Sequence, residues 1–128
     1  MRRDAGDIID RLSIAILKLR RIGTSNTRRE FEMFMEGFHE LFYKYPEVQW
    51  EQHLVNMIQV NSDIWDLEFA VRQGQLDRDP EEVGRRAISI RMTNGSRVAL
   101  KNTINNEVSE GVQDVKTDHV SAGATGKE

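Results

Sequence analysis

Two stretches decide how this chain folds: residues 54–72, LVNMIQVNSDIWDLEFAVR, and residues 83–106, VGRRAISIRMTNGSRVALKNTINN. In both, apolar residues recur at spacings of three and four, the period of a helix with one buried face. The first belongs to a helix predicted from about Glu47 to Gly74, with Trp50, Leu54, Met57, Ile58, Ile64 and Trp65 on its inward stripe. That stripe is interrupted: Asn61, Glu68 and Arg72 fall on the same line. The second stretch repeats the irregularity. Its stripe of Val83, Ala87 and Ile90 continues through Asn94, Arg97, Lys101 and Asn105 before returning to Val108. An antiparallel hairpin of these two helices places Asn61 beside Asn94, Glu68 near Arg86 and Trp65 on Ile90.

Outward from the seam, Asp79, Pro80 and Glu82 mark the start of the fourth helix: an N-cap, a proline at the first helical position and an acid three residues on. Asn94-Gly95-Ser96 could break this helix, but the apolar phase runs through it, so one long helix with room for a kink is expected. The first helix starts among Asp4 to Asp7, buries Ile8, Leu12, Ala15, Ile16, Leu19 and Ile22, and ends at Gly23. Its other side carries Asp10, Ile14, Leu17 and Arg21, a second half-apolar seam that implies a place between two layers or at a homo-oligomer contact. The second helix, with Thr27 and Glu30 as a capping box, carries Phe31, Phe34, Met35, Phe38, Leu41, Phe42 and Tyr45 up to Pro46 and is expected to supply the bulk of the core. From Ser109 the chain is polar and glycine-dotted, which predicts a disordered tail over 109–128 behind a helical domain over 4–108. The expected fold is all-α, a mostly antiparallel four-helix bundle built on the long hairpin of the third and fourth helices.

Composition narrows the functions. With 128 residues, 38% hydrophobic and 30% charged, the chain makes one domain, and the absence of cysteine excludes disulfides, thiolate nucleophiles and Cys-based metal sites. The N-terminal MRRDAGD puts acids where a secretory signal needs its apolar core, and no apolar run is long enough for a membrane span, so a cytoplasmic location is expected. A net charge of −3 argues against bulk coating of nucleic acid and leaves room only for a local basic face. The histidines, His39, His53 and His119, are scattered, and each reads as solvent-facing. Glu32, Glu36, His39 and Glu40 on the second helix read as a hydrated face rather than a metal ladder. No metal or other cofactor is called for.

The seam carries the functional reading. From Val83 to Asn106 there are five cations and no acid, so an anion is expected to meet the fourth helix. It could be internal, supplied by Glu68, Asp10 or an acid of the second helix in a satisfied polar network. It could also be external. Asn61, Trp65, Glu68, Arg72, Asn94, Arg97, Lys101 and Asn105 together offer the donors and the indole plane that a small phosphate-bearing ligand, such as a nucleotide or sugar nucleotide, requires. A protein partner is the other external reading. An enzyme reading comes from acids at three-residue spacing, Asp7 with Asp10, Asp63 with Asp66 and Glu107 with Glu110, which is how small all-α nucleotide pyrophosphatases hold magnesium. Asp63 and Asp66 turn away from the inward stripe, so at most one such pair is expected to face a cleft.

Three motifs, GDIIDRLSI at 6–14, NSDIWDLE at 61–68 and TNGSRVALKNTIN at 93–105, resemble a family of uncharacterised small helical proteins of bacteria and bacteriophages. The resemblance covers nearly all of the chain before the tail and singles out Asp10, Asn61, Trp65, Glu68, Asn94, Arg97, Lys101 and Asn105, the positions that helical phase had already selected. Phe69 and Gly95 depart from it where the family pattern has acids. It implies the fold and the seam and brings no activity with it.

Overall fold

The structure, a computed structural model, describes residues 3–72 and 79–120, with side chains through 109. It consists of four helices, α1 (Ala5–Arg21), α2 (Ser25–Lys44), α3 (Trp50–Arg72) and α4 (Pro80–Val120), with no strand among the described residues. Residues 73–78, between α3 and α4, and residues 121–128, the end of the expected tail, lie outside the described residues. The helical backbone of α4 continues past the expected boundary at Val108, with no proline after Pro80 to stop it. No described helix is long and apolar enough to cross a membrane.

Each boundary has a local cause. Asp4 caps α1 by accepting the Asp7 N–H at 2.7 Å, and Gly23 closes it with φ +77°, a left-handed conformation that lets its N–H reach the Lys18 carbonyl at 3.2 Å. The cap of α2 is Thr24 rather than Thr27. Thr24 Oγ1 accepts the Thr27 N–H, and the Thr27 hydroxyl donates back to the Thr24 carbonyl, so the helix gains a turn before the expected start. Asp79 caps α4, accepting the Glu82 N–H at 3.2 Å with Pro80 at the first helical position. The Asn94-Gly95 step does not break α4, and Gly95 keeps helical backbone.

α1 packs against each of the other three helices, and α3 packs on α4. This middle position accounts for its two-sided pattern. One side meets α2, while Asp10 and Leu17 of the other are buried within the chain, so the two-layer reading of that seam is the one observed. The centre of the core is Ile9 and Leu12 of α1, Trp50 and Met57 of α3 and Ile104 of α4, all fully buried. Phe34, Phe38 and Leu41 of α2 flank it instead of forming its bulk, because α2 covers one side of α1 alone. Ile22, expected inside, is exposed past the end of α1. Trp50 opens α3, its indole N–H donating to the Tyr45 carbonyl at 2.9 Å.

The α1–α4 contact depends on a glycine. A Cβ at Gly6 would lie 2.7 Å from the Lys101 carbonyl oxygen, whereas one at Gly95 would meet nothing within 4 Å. Gly6→Ala is therefore expected to destabilise the fold by about 1–3 kcal/mol by forcing two backbones apart. Gly95→Ala, on open helix surface, is expected to stabilise it by up to about 1 kcal/mol. Urea unfolding of the two variants checks the contrast.

Candidate functional site: a buried carboxylate beneath a polar cleft

Asp10 and Ser13 stand one turn apart on the α1 face that meets α3 and α4, and both are buried, Asp10 at 1% exposure and Ser13 at 0%. A carboxylate there must be ionised and fully paired or else neutral. It is paired. Arg97 of α4 donates from Nε to Oδ1 at 2.8 Å and from Nη2 to Oδ2 at 2.6 Å, the two-pronged geometry that matches a guanidinium to a carboxylate. Asn61 of α3 donates from Nδ2 to the same Oδ1 at 2.9 Å and to Ser13 Oγ at 2.7 Å, while the Ser13 hydroxyl donates to the Asp10 carbonyl. Lys101 Nζ lies 3.8 Å from Asp10 and 3.6 Å from Asp7.

Burial alone would raise the pKa of Asp10. The hydrogen bonds from Arg97 and Asn61, with the charges of Arg97 and Lys101, outweigh it and hold the carboxyl below its usual range. Asp7 shifts the same way: the charges and hydrogen bonds of Arg3, Arg11 and Lys101 overcome its burial. The Asp10 bonds in turn raise Arg97.

Above this network a cleft of about 340 Å³ opens among α1, α3 and α4. Ile14, Leu17 and Ile64 form its apolar wall, and Asn61, Trp65, Glu68, Arg72, Asn94 and Arg97 supply its polar lining. Six of the eight positions selected from the sequence thus border one space. Asn94 makes no side-chain hydrogen bond among the described residues, and Arg72 and Glu68 stand 4.0 Å apart, too far to hold each other firmly. Arg21 lies 5.2 Å from the centre of the Trp65 ring, where it donates to Asp66 and Ser62.

The other two positions lie elsewhere. Lys101 borders a second cleft, of about 310 Å³, with Asp7 and Asp10 on the α2 side of Arg97. Asn105 accepts the Gly6 N–H at 2.8 Å, acting as a cap for α1 supplied from α4, and borders a separate hollow at the opposite end of the seam. The expected pairings across the hairpin also change. Asn61 spends its donors on α1 instead of Asn94, because a buried carboxylate is the stronger acceptor. Arg86 pairs with Glu82 one turn away on its own helix at 3.0 Å, leaving Glu68 to Arg72. His53, expected in solvent, is buried against Trp50 with its Nε2 2.8 Å from Glu107 and its Nδ1 without a partner among the described residues.

Sequence reasoning passed over Ser13, although its three-residue spacing from Asp10 was a usable signal, and over His53, whose spacing between Trp50 and Met57 is that of the core stripe. Of the acid pairs, Asp7 and Asp10 share a cleft, but Arg3, Arg11, Arg97 and Lys101 already hold their oxygens, and a magnesium ion would have to displace them. Among the described residues no three His, Asp or Glu side chains gather as a metal site. Compared with models of protein families, with curated proteins and with solved structures, the chain matches none.

Removing Arg97 strands a buried charge. Arg97→Ala is expected to cost about 2–3 kcal/mol, less than the ~3–5 of a fully enclosed pair because the Arg97 side chain is 32% exposed. With its folded pKa lowered, Asp10 contributes stability that is complete above the ordinary carboxyl value near 3.8 and is lost as pH falls below it. Asp10→Asn should be less stable at pH 7 yet lose less stability between pH 5 and 2. Urea midpoints across that range read out both effects, with Asp7 supplying the remaining acid sensitivity.

Proposed function

We propose that this chain is a non-catalytic binding module that takes a small phosphate-bearing ligand, a nucleotide or sugar nucleotide, in the cleft between α3 and α4, in the cytoplasm of a bacterial cell or infected host. One observation carries the reading: Asn94, Arg97 and Arg72 converge with Trp65 on a cleft walled by Ile14, Leu17 and Ile64. Arg97 keeps Nη1 unengaged among the described residues while Asp10 fixes the rest of its guanidinium. Arg72 and the Asn94 amide complete a donor set for phosphate oxygens, Trp65 offers a flat apolar face for a base, and Glu68 can accept from a sugar hydroxyl.

A protein partner, including a second copy of the chain, is the second reading. It is favoured by Ile88 and Met92, 52% and 69% exposed one turn apart on α4. The resemblance to the bacterial and phage helical family is consistent with either.

A melting series with inorganic phosphate, pyrophosphate, nucleotides and sugar nucleotides tests the ligand. A true ligand raises the melting temperature in step with its concentration, by about 2.7 kcal/mol of added stability at one hundred times its Kd. Arg72→Ala combined with Asn94→Ala should abolish the shift and leave the free protein within about 0.5 kcal/mol of wild type. Phosphates that stabilise the double variant equally would place binding elsewhere. Release of pyrophosphate from a nucleotide with magnesium present would favour the metal-dependent enzyme instead.

A further inference from the structure

The cations of α4 that first suggested an anionic partner are largely spent, and those at another corner are not. Arg97 and Lys101 are turned onto Asp7 and Asp10, and Arg85 and Arg86 onto Glu82. From Arg11 to Arg29 the sequence holds six cations and no acid. Four of them, Arg20, Arg21, Arg28 and Arg29, sit in the last turn of α1 and the first turn and a half of α2, which the short turn through Gly23 brings to one end of the bundle. Arg21 is held by Asp66. Arg20, Arg28 and Arg29 are exposed and make no ion pair among the described residues, Arg29 reaching no further than the Asn26 amide at 3.3 Å.

Local helix stability does not account for this placement. Arg20 and Arg21 suit the C-terminal end of α1, but Arg28 and Arg29 lie at the positive end of α2, whose first turn has no acid. The dipole of α2 disfavours cations at this end. The structure assigns this corner a partner outside the chain: we propose that Arg20, Arg28 and Arg29 bind the phosphodiester backbone of nucleic acid. The composition of the corner favours that polyanion. Its free charges are arginines, whose planar fork matches a phosphate, and they flank Thr24, Ser25 and Asn26, small polar side chains of the kind that contact phosphate and sugar. A membrane surface would need an apolar row beside the charges, and this corner exposes two apolar side chains, Ile22 and Met33, rather than a row. The overall charge of −3 confines such binding to this end of the molecule.

Fluorescence anisotropy with labelled duplex DNA and duplex RNA, titrated with salt, tests this. Binding is expected to weaken with a log–log slope of about 2.7 for three phosphate contacts. Combined Arg20→Gln, Arg28→Gln and Arg29→Gln should weaken it at least tenfold with an unchanged melting curve. A control removing the same charge from α4, Arg85→Gln, Arg86→Gln and Arg91→Gln, should change it less than twofold. Either duplex bound in this pattern supports the proposal, and the preferred one identifies the source. No binding at low salt, equal loss in both triple variants, or corner-dependent binding to acidic lipid vesicles without binding to either duplex would overturn it.

Discussion

A carboxylate at 1% exposure is the constraint around which the helices are arranged. Taking an ion of this size out of water costs several kcal/mol even after relaxation, and Asp10 recovers that cost only where Arg97 and Asn61 reach it together. Those partners come from α4 and α3, so one side chain of α1 fixes the positions of two other helices. A one-residue slip of α4 would turn Arg97 by about 100° and leave the charge stranded. Apolar contacts tolerate such a slip far better, since one aliphatic side chain replaces another at modest cost. The close approach at Gly6, where α1 and the α4 backbone nearly touch, works in the same direction by fixing where the two helices cross.

The four helices were legible because they depend on local signals: the apolar period, Asp79 with Pro80, Gly23 and Pro46. The polar seam was legible for a related reason, since Asn61, Asn94 and Arg97 break a stripe that should be apolar. What could not be read was the partner each polar side chain takes. Asp10 was visible on the second face of the first helix, yet helical phase says nothing about which neighbouring helix that face meets. The expected hairpin pairings therefore linked α3 to α4 alone, whereas α1 packs on both and takes Asn61. Where a partner one turn away on the same helix exists, as Glu82 does for Arg86, it prevails over a distant one because little chain entropy is lost. Thr24 was missed as a cap because Thr27 with Glu30 offered the better-known pattern, whereas the Thr27 hydroxyl turns back to the Thr24 carbonyl and leaves its own N–H to Thr24.

The seam thus divides into parts that the sequence presented as one. Near Asp10 it is a closed network in which Asn61, Ser13 and Arg97 satisfy one another. Towards Trp65, Glu68, Arg72 and Asn94 it is an open cleft whose polar groups are loosely held or unengaged. At Asn105 it becomes a helix cap. Helical phase groups all of these because it measures angle around an axis and not depth along it.

Arg97 belongs to both the network and the cleft, and this shared position bears on how the cleft could work. A long cationic side chain at a surface loses rotamer freedom when it grips a ligand, a cost of roughly 0.5–1.5 kcal/mol for each side chain immobilised. Here Asp10 has already fixed the guanidinium plane through Nε and Nη2, so a phosphate arriving at Nη1 would meet a donor held in place by the fold. The same arrangement sets a limit. Asp10 cancels most of the charge of Arg97, and Glu68 stands 4.0 Å from Arg72, so the net attraction for an anion depends on Arg72 turning from Glu68 to the ligand at the cleft rim. A ligand gripping both arginines would draw on two sources: orientation from the buried pair and charge from the exposed one.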